Sequence, residues 1–425
     1  MTAVPVDLQV SGPAGTVLYR SAVAMPPVGG IIYTEKQGRW AAQTKGETMA
    51  DAENRNRNRR GGRSGQPNPK REARAKAAER HVAAVAASAV KDIARSAAGV
   101  VTFEGMPKSW VEAQAAKKAA VEAAAKAAAE AEAAAAAAEE ATDAEGAEPT
   151  PETAEAEAPE TAPEEVAEAS ESPVLPEVQV LDATATQAIL DNGRGYAQFC
   201  DMAVLDFASF TNPGGGYIQG YLGQESTLCA DSYLYNVLDG QRKWYGENRR
   251  RNINCELYRS RALVVPAVRF ERGHVHAYAD VIVAAAPNAK RARQEYNVAE
   301  DALVDALRDR IRFVLALCDE LGREKLVLGA FGCDNQGFDA EVVAEAFRSE
   351  LASGDFKVKR VFFAVPGSRW DENLPKFEHV FASFPEANAE SYADAAARAA
   401  AARAAEEAEA AAEDDEDDDD WRKYL

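Results

Sequence analysis

The stretch Asn212-Pro213-Gly214-Gly215-Gly216, followed after seven residues by Gln224-Glu225-Ser226, holds the densest chemistry in the chain. Glycine loses more backbone entropy on folding than any other residue and fills no space, so three in a row mark backbone that must approach something closely. Such a run lets several backbone N–H groups face an anion. Glu225 falls where a helix should begin, and the helix dipole there favours an ionised carboxylate. That group could accept a ribose hydroxyl or move a proton, and the Asn212 amide could bond a second sugar hydroxyl. The motif is neither a Walker A loop, since no Gly-Lys-Ser/Thr follows, nor a GxGxxG fingerprint.

A second glycine-punctuated segment runs from Gly329 to Phe338, with Gly332 and Gly337 free to bring backbone to a diphosphate, and Cys333 between them. Phe331 or Phe338 could stack on a base, although core packing explains either one alone. A third signal is Ala284-Ala-Ala-Pro287-Asn288, where proline stops a strand and asparagine favours a turn. His274 and His276 read as structural or exposed positions of a hairpin strand.

The elements that must hold these loops alternate. Strands are expected over Val178–Leu181, Met202–Ser209, Leu263–Pro266, Val281–Pro287, Lys325–Ala330 and Val361–Val365. Helices are expected from Thr184 or Thr186 through Leu190, over Glu225–Leu238, Ala299–Leu321 and Ala340–Leu351. Strands alternating with helices imply an α/β fold, a mostly parallel sheet covered on both faces, and ligands in such sheets bind at the carboxyl ends of strands. Both glycine loops lie at such ends.

Outside that region the composition changes. The chain has 425 residues and a formal net charge of −21. Acidity concentrates in 139–171 and 402–420, whereas 55–76 is basic. Residues 1–72 form an unassigned N-terminal region with a basic disordered stretch. Residues 55–76 could make a weak, nonspecific nucleic-acid contact, because Arg and Lys neutralise phosphates. Residues 73–106 carry a helix expected to pack on the core. Residues 107–175 are an Ala/Glu/Pro-rich low-complexity segment, with an exposed helix at 111–141 and disorder after it. Residues 176–385 form the core, and 386–425 an acidic disordered tail. Five scattered cysteines and four histidines offer no metal-ligand spacing, so no metal and no cofactor is expected. No basic-then-apolar leader and no long apolar run is visible, so a cytoplasmic protein that does not cross a membrane is expected. Oligomeric state cannot be read.

The run from Ala203 to Gly216, then Gln224-Glu225 and Leu228-Cys229, resembles the bacterial, or microbial-type, poly(ADP-ribose) glycohydrolases, macrodomain relatives with a GGG-x(6–8)-QEE signature. Ala284–Ala289, Leu328–Cys333 and the helix at 73–98 resemble further blocks of that family. The resemblance implies a three-layer α/β/α macrodomain-like mixed sheet that binds ADP-ribose or an ADP-ribosylated macromolecule, with 107–175 an insertion inside the domain. It places Gly214, Gly215 and Gly216 along the distal ribose and diphosphate, with Asn212 and Gln224 also at the ligand. Gly332, Cys333 and Gly337 would form the second diphosphate loop, with Phe338 beside adenine. It implies glycoside cleavage by a glutamate acid/base, usually the second of the pair. Here the first is Glu225 and the second position is Ser226, which cannot act as a carboxylic acid. Asp334, Asn335 and Gln336 also replace small or apolar residues, and a carboxylate at 334 would repel a diphosphate unless turned away. The enzyme reading, with Glu225 catalytic, leads. An ADP-ribose reader that has lost hydrolysis, or a scaffold whose charged tails carry the interactions, are the alternatives.

Overall fold

In the computed structural model, residues 68–142, 175–251, 260–333 and 335–421 are described. Those at 1–67, 143–174, 252–259, 334 and 422–425 lie outside the description, and with them fall the expectations for Asp334, for disorder after 142 and for most of the basic stretch.

Two helices open the described chain, α1 (Pro69–Ser88) and α2 (Val90–Ala98), where one had been expected. The Asn68 side chain accepts from the N–H groups of Lys70 and Arg71, and proline follows at the first helical position. Next come β1 (Val101–Glu104), α3 (Lys108–Thr142), β2 (Glu177–Leu181) and α4 (Ala185–Asn192). Thr184 is the cap of α4, accepting from Gln187 N–H. Strand β3 (Met202–Phe207) leads to a tight helical turn (Pro213–Gln219), then to α5 (Gln224–Ala230), α6 (Leu234–Asp239) and α7 (Arg242–Arg251). The single helix expected over 225–238 is therefore two. Ser232 parts them: its hydroxyl donates to Leu228 O at 2.6 Å and accepts from Leu234 N–H at 3.1 Å. A side chain that satisfies the end of one helix and the start of the next makes the break stable.

The remaining elements are β4 (Arg261–Arg272), β5 (Val275–Ala284), α8 (Ala289–Tyr296), α9 (Glu300–Glu320), β6 (Lys325–Leu328), α10 (Ala340–Leu351), β7 (Arg360–Ala364), α11 (Asn373–Phe381) and α12 (Tyr392–Trp421). Helix α12 lies in the segment expected to be a disordered acidic tail. Alanine, the best helix former, outweighs the charge there.

Seven strands form one mixed sheet in the order β1-β4-β5-β3-β6-β7-β2. Strands β5, β3, β6, β7 and β2 run parallel. The β4–β5 hairpin and its β1 neighbour are antiparallel. Alternation along β3 separates the two faces. Ala203 and Leu205 pack with Leu307, Val314 and Phe347 of α9 and α10. Met202 and Val204 pack with Ile189, Leu228 and Leu234 of α4, α5 and α6, and Ala78 of α1 closes that side. This is the three-layer α/β/α arrangement, with β3 buried on both faces near its centre. Among the described residues no helix is long and apolar enough to cross a membrane.

Candidate functional site

Because β5, β3, β6 and β7 are neighbouring parallel strands, their carboxyl ends open on one rim. A cavity of about 480 Å³ lies there, lined by Ala286 after β5, Phe207 and Ala208 from β3, Gly332 and Cys333 after β6, and Gly367 after β7. A second hollow of about 320 Å³ shares Phe207, Ala208, Leu222, Gly223 and Gln224 with it, and adds Ser209, Gly215, Glu225, Ser226 and Asn288. Together they make a cleft of the size small-molecule sites take. Gly215, Gln224, Glu225 and Ser226 thus gather at one end, and Gly332 and Cys333 line the other.

Gly214, Gly215 and Gly216 have φ of 67°, 57° and 90°, three successive left-handed residues. An L side chain in that conformation costs about 1–2 kcal/mol per residue, so glycine is required for the backbone alone. Space requires it as well. A Cβ on Gly214 would come within 2.6 Å of the Tyr235 ring, and one on Gly215 would overlap Oε2 of Glu225. The close approach that the sequence announced is first of all to a carboxyl group of the chain itself. Gly215 N–H is bonded to Asn212 O at 3.3 Å, and Gly214 N–H points at Glu225.

Glu225 is 4% exposed. Its Oε2 accepts from Ser209 N–H at 2.8 Å, whereas Oε1 is buried with no hydrogen-bond partner. Burial first, and the charge of Asp206 second, hold its carboxyl well above the usual carboxylate range, against the lowering effect of the Ser209 and Gly214 N–H groups. The ionised group expected from the helix dipole is therefore corrected: removal from water beside another acid outweighs the dipole of a seven-residue helix. Ser226 is also buried and lines the same hollow.

Gln224 belongs to both hollows, yet its amide is committed to the sheet. Its Nε2 donates to Leu205 O at 2.8 Å and its Oε1 accepts from Phe207 N–H at 2.9 Å. The side chain thus pairs with the end of β3 as a neighbouring strand would. Asn212 turns outward, with its Oδ1 accepting from Arg249 at 3.2 Å, and it lines neither hollow. Gly216 packs on Tyr221. Gly332 and Gly337 have φ of 91° and 85°. Gly337 sits against Lys290, where a Cβ would come within 2.9 Å. Phe338 is buried beneath Gly332 and lines neither hollow, so its ring is committed to the core and is not available to adenine.

Asp206 is the residue that sequence reasoning passed over. It is fully buried, neither carboxyl oxygen has a partner, and burial pushes its pKa up to about 8. A carboxylate inside an otherwise apolar six-residue strand was the available signal. Arg249, which holds the Thr211–Asn212 turn from α7, was also missed.

Residues 107–273 match the family model of the microbial-type PARG catalytic domain, PARG being poly(ADP-ribose) glycohydrolase. No curated protein matches this chain in sequence. Among solved structures, the chain is similar to poly(ADP-ribose) glycohydrolase from Thermomonospora curvata, at 28% identity over 48% of this chain and 76% of that one, with a TM-score of 0.43. It is also similar to the enzyme from Deinococcus radiodurans in complex with ADP-ribose, at 29% identity over 48% of this chain and 82% of that one, with a TM-score of 0.42.

Proposed function

We propose that this chain is a poly(ADP-ribose) glycohydrolase-type hydrolase that binds ADP-ribose in the cleft above β3 and β6 and cleaves an O-glycosidic ADP-ribose linkage. The observation that carries this reading is a protonatable carboxyl group, Glu225, fixed beneath a triple-glycine turn at one end of a two-part cleft. The family match over 107–273 covers that same turn and carboxyl.

In this reading the diphosphate lies along the backbone at Gly332 and Cys333, and the distal ribose reaches Gly215 and Glu225. Glu225 protonates the departing ribose oxygen as the glycosidic C–O bond breaks, and positive charge spreads over the ring carbon and oxygen. Water adds to that carbon and returns a proton to Glu225. Burial and the neighbouring acid favour the protonated form of this carboxyl, the form the first step requires. The substrate in this reading is an ADP-ribosylated macromolecule.

Ser226 supports a second reading. It stands in the hollow where the family signature has a glutamate, and a hydroxyl there can bind a ribose but cannot protonate it. In that case the cleft reads ADP-ribose without cutting it.

Release of ADP-ribose from poly(ADP-ribosyl)ated protein decides between the two. The parent chain should release it, Glu225→Gln should lower the rate by about 10²–10⁴-fold, and Ser226→Glu should raise it. No release by the parent, with activity gained on Ser226→Glu, would leave the reader. Calorimetry with ADP-ribose should give binding under either reading, and no binding would sink both.

A further inference from the structure

Four buried polar atoms without a hydrogen-bond partner belong to three residues close enough for their charges to act on one another: both carboxyl oxygens of Asp206, Oε1 of Glu225 and the hydroxyl of Tyr245. They come from three elements. Asp206 ends the β3 row of Met202 and Val204, on the face that α5 covers; Glu225 opens α5; Tyr245 comes from α7, 2% exposed. Gln224 fixes the register, since its amide grips the residues on either side of Asp206. Buried polar groups in native proteins are almost always paired, so such a concentration needs a reason.

A fully buried carboxylate that accepts no hydrogen bond and has no cation beside it takes up a proton instead of remaining charged. The groups that bear on this chamber are all acids: Asp206 from β3, Glu225 and Cys229 from α5, Tyr235 from α6 and Tyr245 from α7. A protonated Asp206 has an O–H in need of an acceptor, and Glu225 Oε1 is an acceptor in need of a donor.

We infer that Asp206 is a positioning residue for Glu225, a carboxylic acid that donates a hydrogen bond to the Glu225 carboxylate each time Glu225 gives up its proton. This rests on the proposed hydrolysis, in which Glu225 is the acid. The proton balance is simple. Glu225 passes its proton to the departing oxygen, the resulting carboxylate is held by the Asp206 O–H and the Ser209 N–H, and the attacking water restores the proton to Glu225. Asp206 keeps its own proton throughout. Among the described residues, no other group donates to the inner oxygen of Glu225 in this structure.

Two measurements on the full-length chain test this. Infrared spectroscopy with carboxyl-labelled aspartate reads protonation directly and needs no activity. A protonated-aspartate band should be present at neutral pH, fade as pH passes about 8, and be missing in Asp206→Asn. An ionised Asp206 at neutral pH overturns the proposal even if the chain hydrolyses substrate. The second measurement is the pH profile of ADP-ribose release. The parent should lose kcat above about pH 8, where the two acids titrate as a pair, and in Asp206→Asn, where Glu225 titrates alone, that limb should move. Asp206→Ala should lower kcat about tenfold more than Asp206→Asn, whose amide still donates, with KM the same in both. A limb unchanged in Asp206→Asn overturns the proposal. If the parent releases nothing, the hydrolysis reading has failed, and the infrared result still stands or falls by itself.

Discussion

At Glu225 the same few atoms set both shape and charge. The carboxyl fills the space a Cβ on Gly215 would need, so the glycine turn and the acid specify one another. The acid is also one of a pair, and the pair makes stability depend on pH. Asp206 is raised from 3.8 to about 8 in the folded chain. Its folded state therefore binds a proton that its unfolded state releases. The stability it contributes is full below its unfolded value and is lost as pH rises through the folded one, at about 1.4 kcal/mol per pH unit between them. Urea unfolding should show parent stability falling from about pH 5 towards pH 8, and Asp206→Asn should flatten that slope. An identical slope in the variant would mean that Asp206 does not titrate in this range.

At the scale of elements, α7 is the part that steadies the turn between β3 and the glycines. Asn248, fully buried, donates to Phe210 O at 2.9 Å, and Arg249 donates to Thr211 O at 2.9 Å. Trp244 meets the Phe210 ring edge-on, with centroids 6.4 Å apart. Arg261 of β4 in turn donates to Asn248 and pairs with Glu104 of β1 at 2.6 Å, tying the sheet edge to this helix. Asn248→Ala strands a carbonyl and an arginine donor at once, which should cost about 2–3 kcal/mol. Amide exchange over residues 209–212 should quicken in step. Unchanged exchange with ordinary stability would show that the turn holds itself. This helix was not legible in the sequence, since the run from Arg242 to Arg251 is strongly polar and has no apolar stripe. Its burial comes from Trp244, Tyr245 and Asn248, one of them polar. Helices α9 and α10, by contrast, carry apolar residues at three- and four-residue spacing and were legible almost to the residue.

Over the whole molecule, α3 and α12 stand apart from the packed layers. Among the described residues, helix α3 is anchored near its start, where Trp110 stacks on Phe356 and Lys117 pairs with Asp355. Beyond that, pairs such as Lys118–Glu122 at 3.8 Å add only about 0.3 kcal/mol each. Helix α12 likewise meets the core through Tyr392, whose ring lies against His379, and residues 396–408 are exposed. Removing the chain from about residue 400 onward should shift the unfolding free energy by no more than about 0.5 kcal/mol. A larger loss would place a stabilising contact in the acidic segment.

The amino-acid sequence by itself determined the alternation of strands and helices, the two glycine loops at strand ends and the carboxyl that follows the first. These are local properties: side-chain period, the φ that only glycine adopts freely, and the turn chemistry of proline and asparagine. What Glu225 and Asp206 are as acids was decided only by the tertiary structure. Protonation depends on loss of water and on the nearest charge, and both are set by which elements cover β3. Likewise Phe338, Gln224 and Asn212 have side chains able to contact a ligand, but packing commits the first to the core and hydrogen bonds tie the second to β3 and the third to α7. A residue's type fixes the bonds it can make. The fold decides which of them are already made.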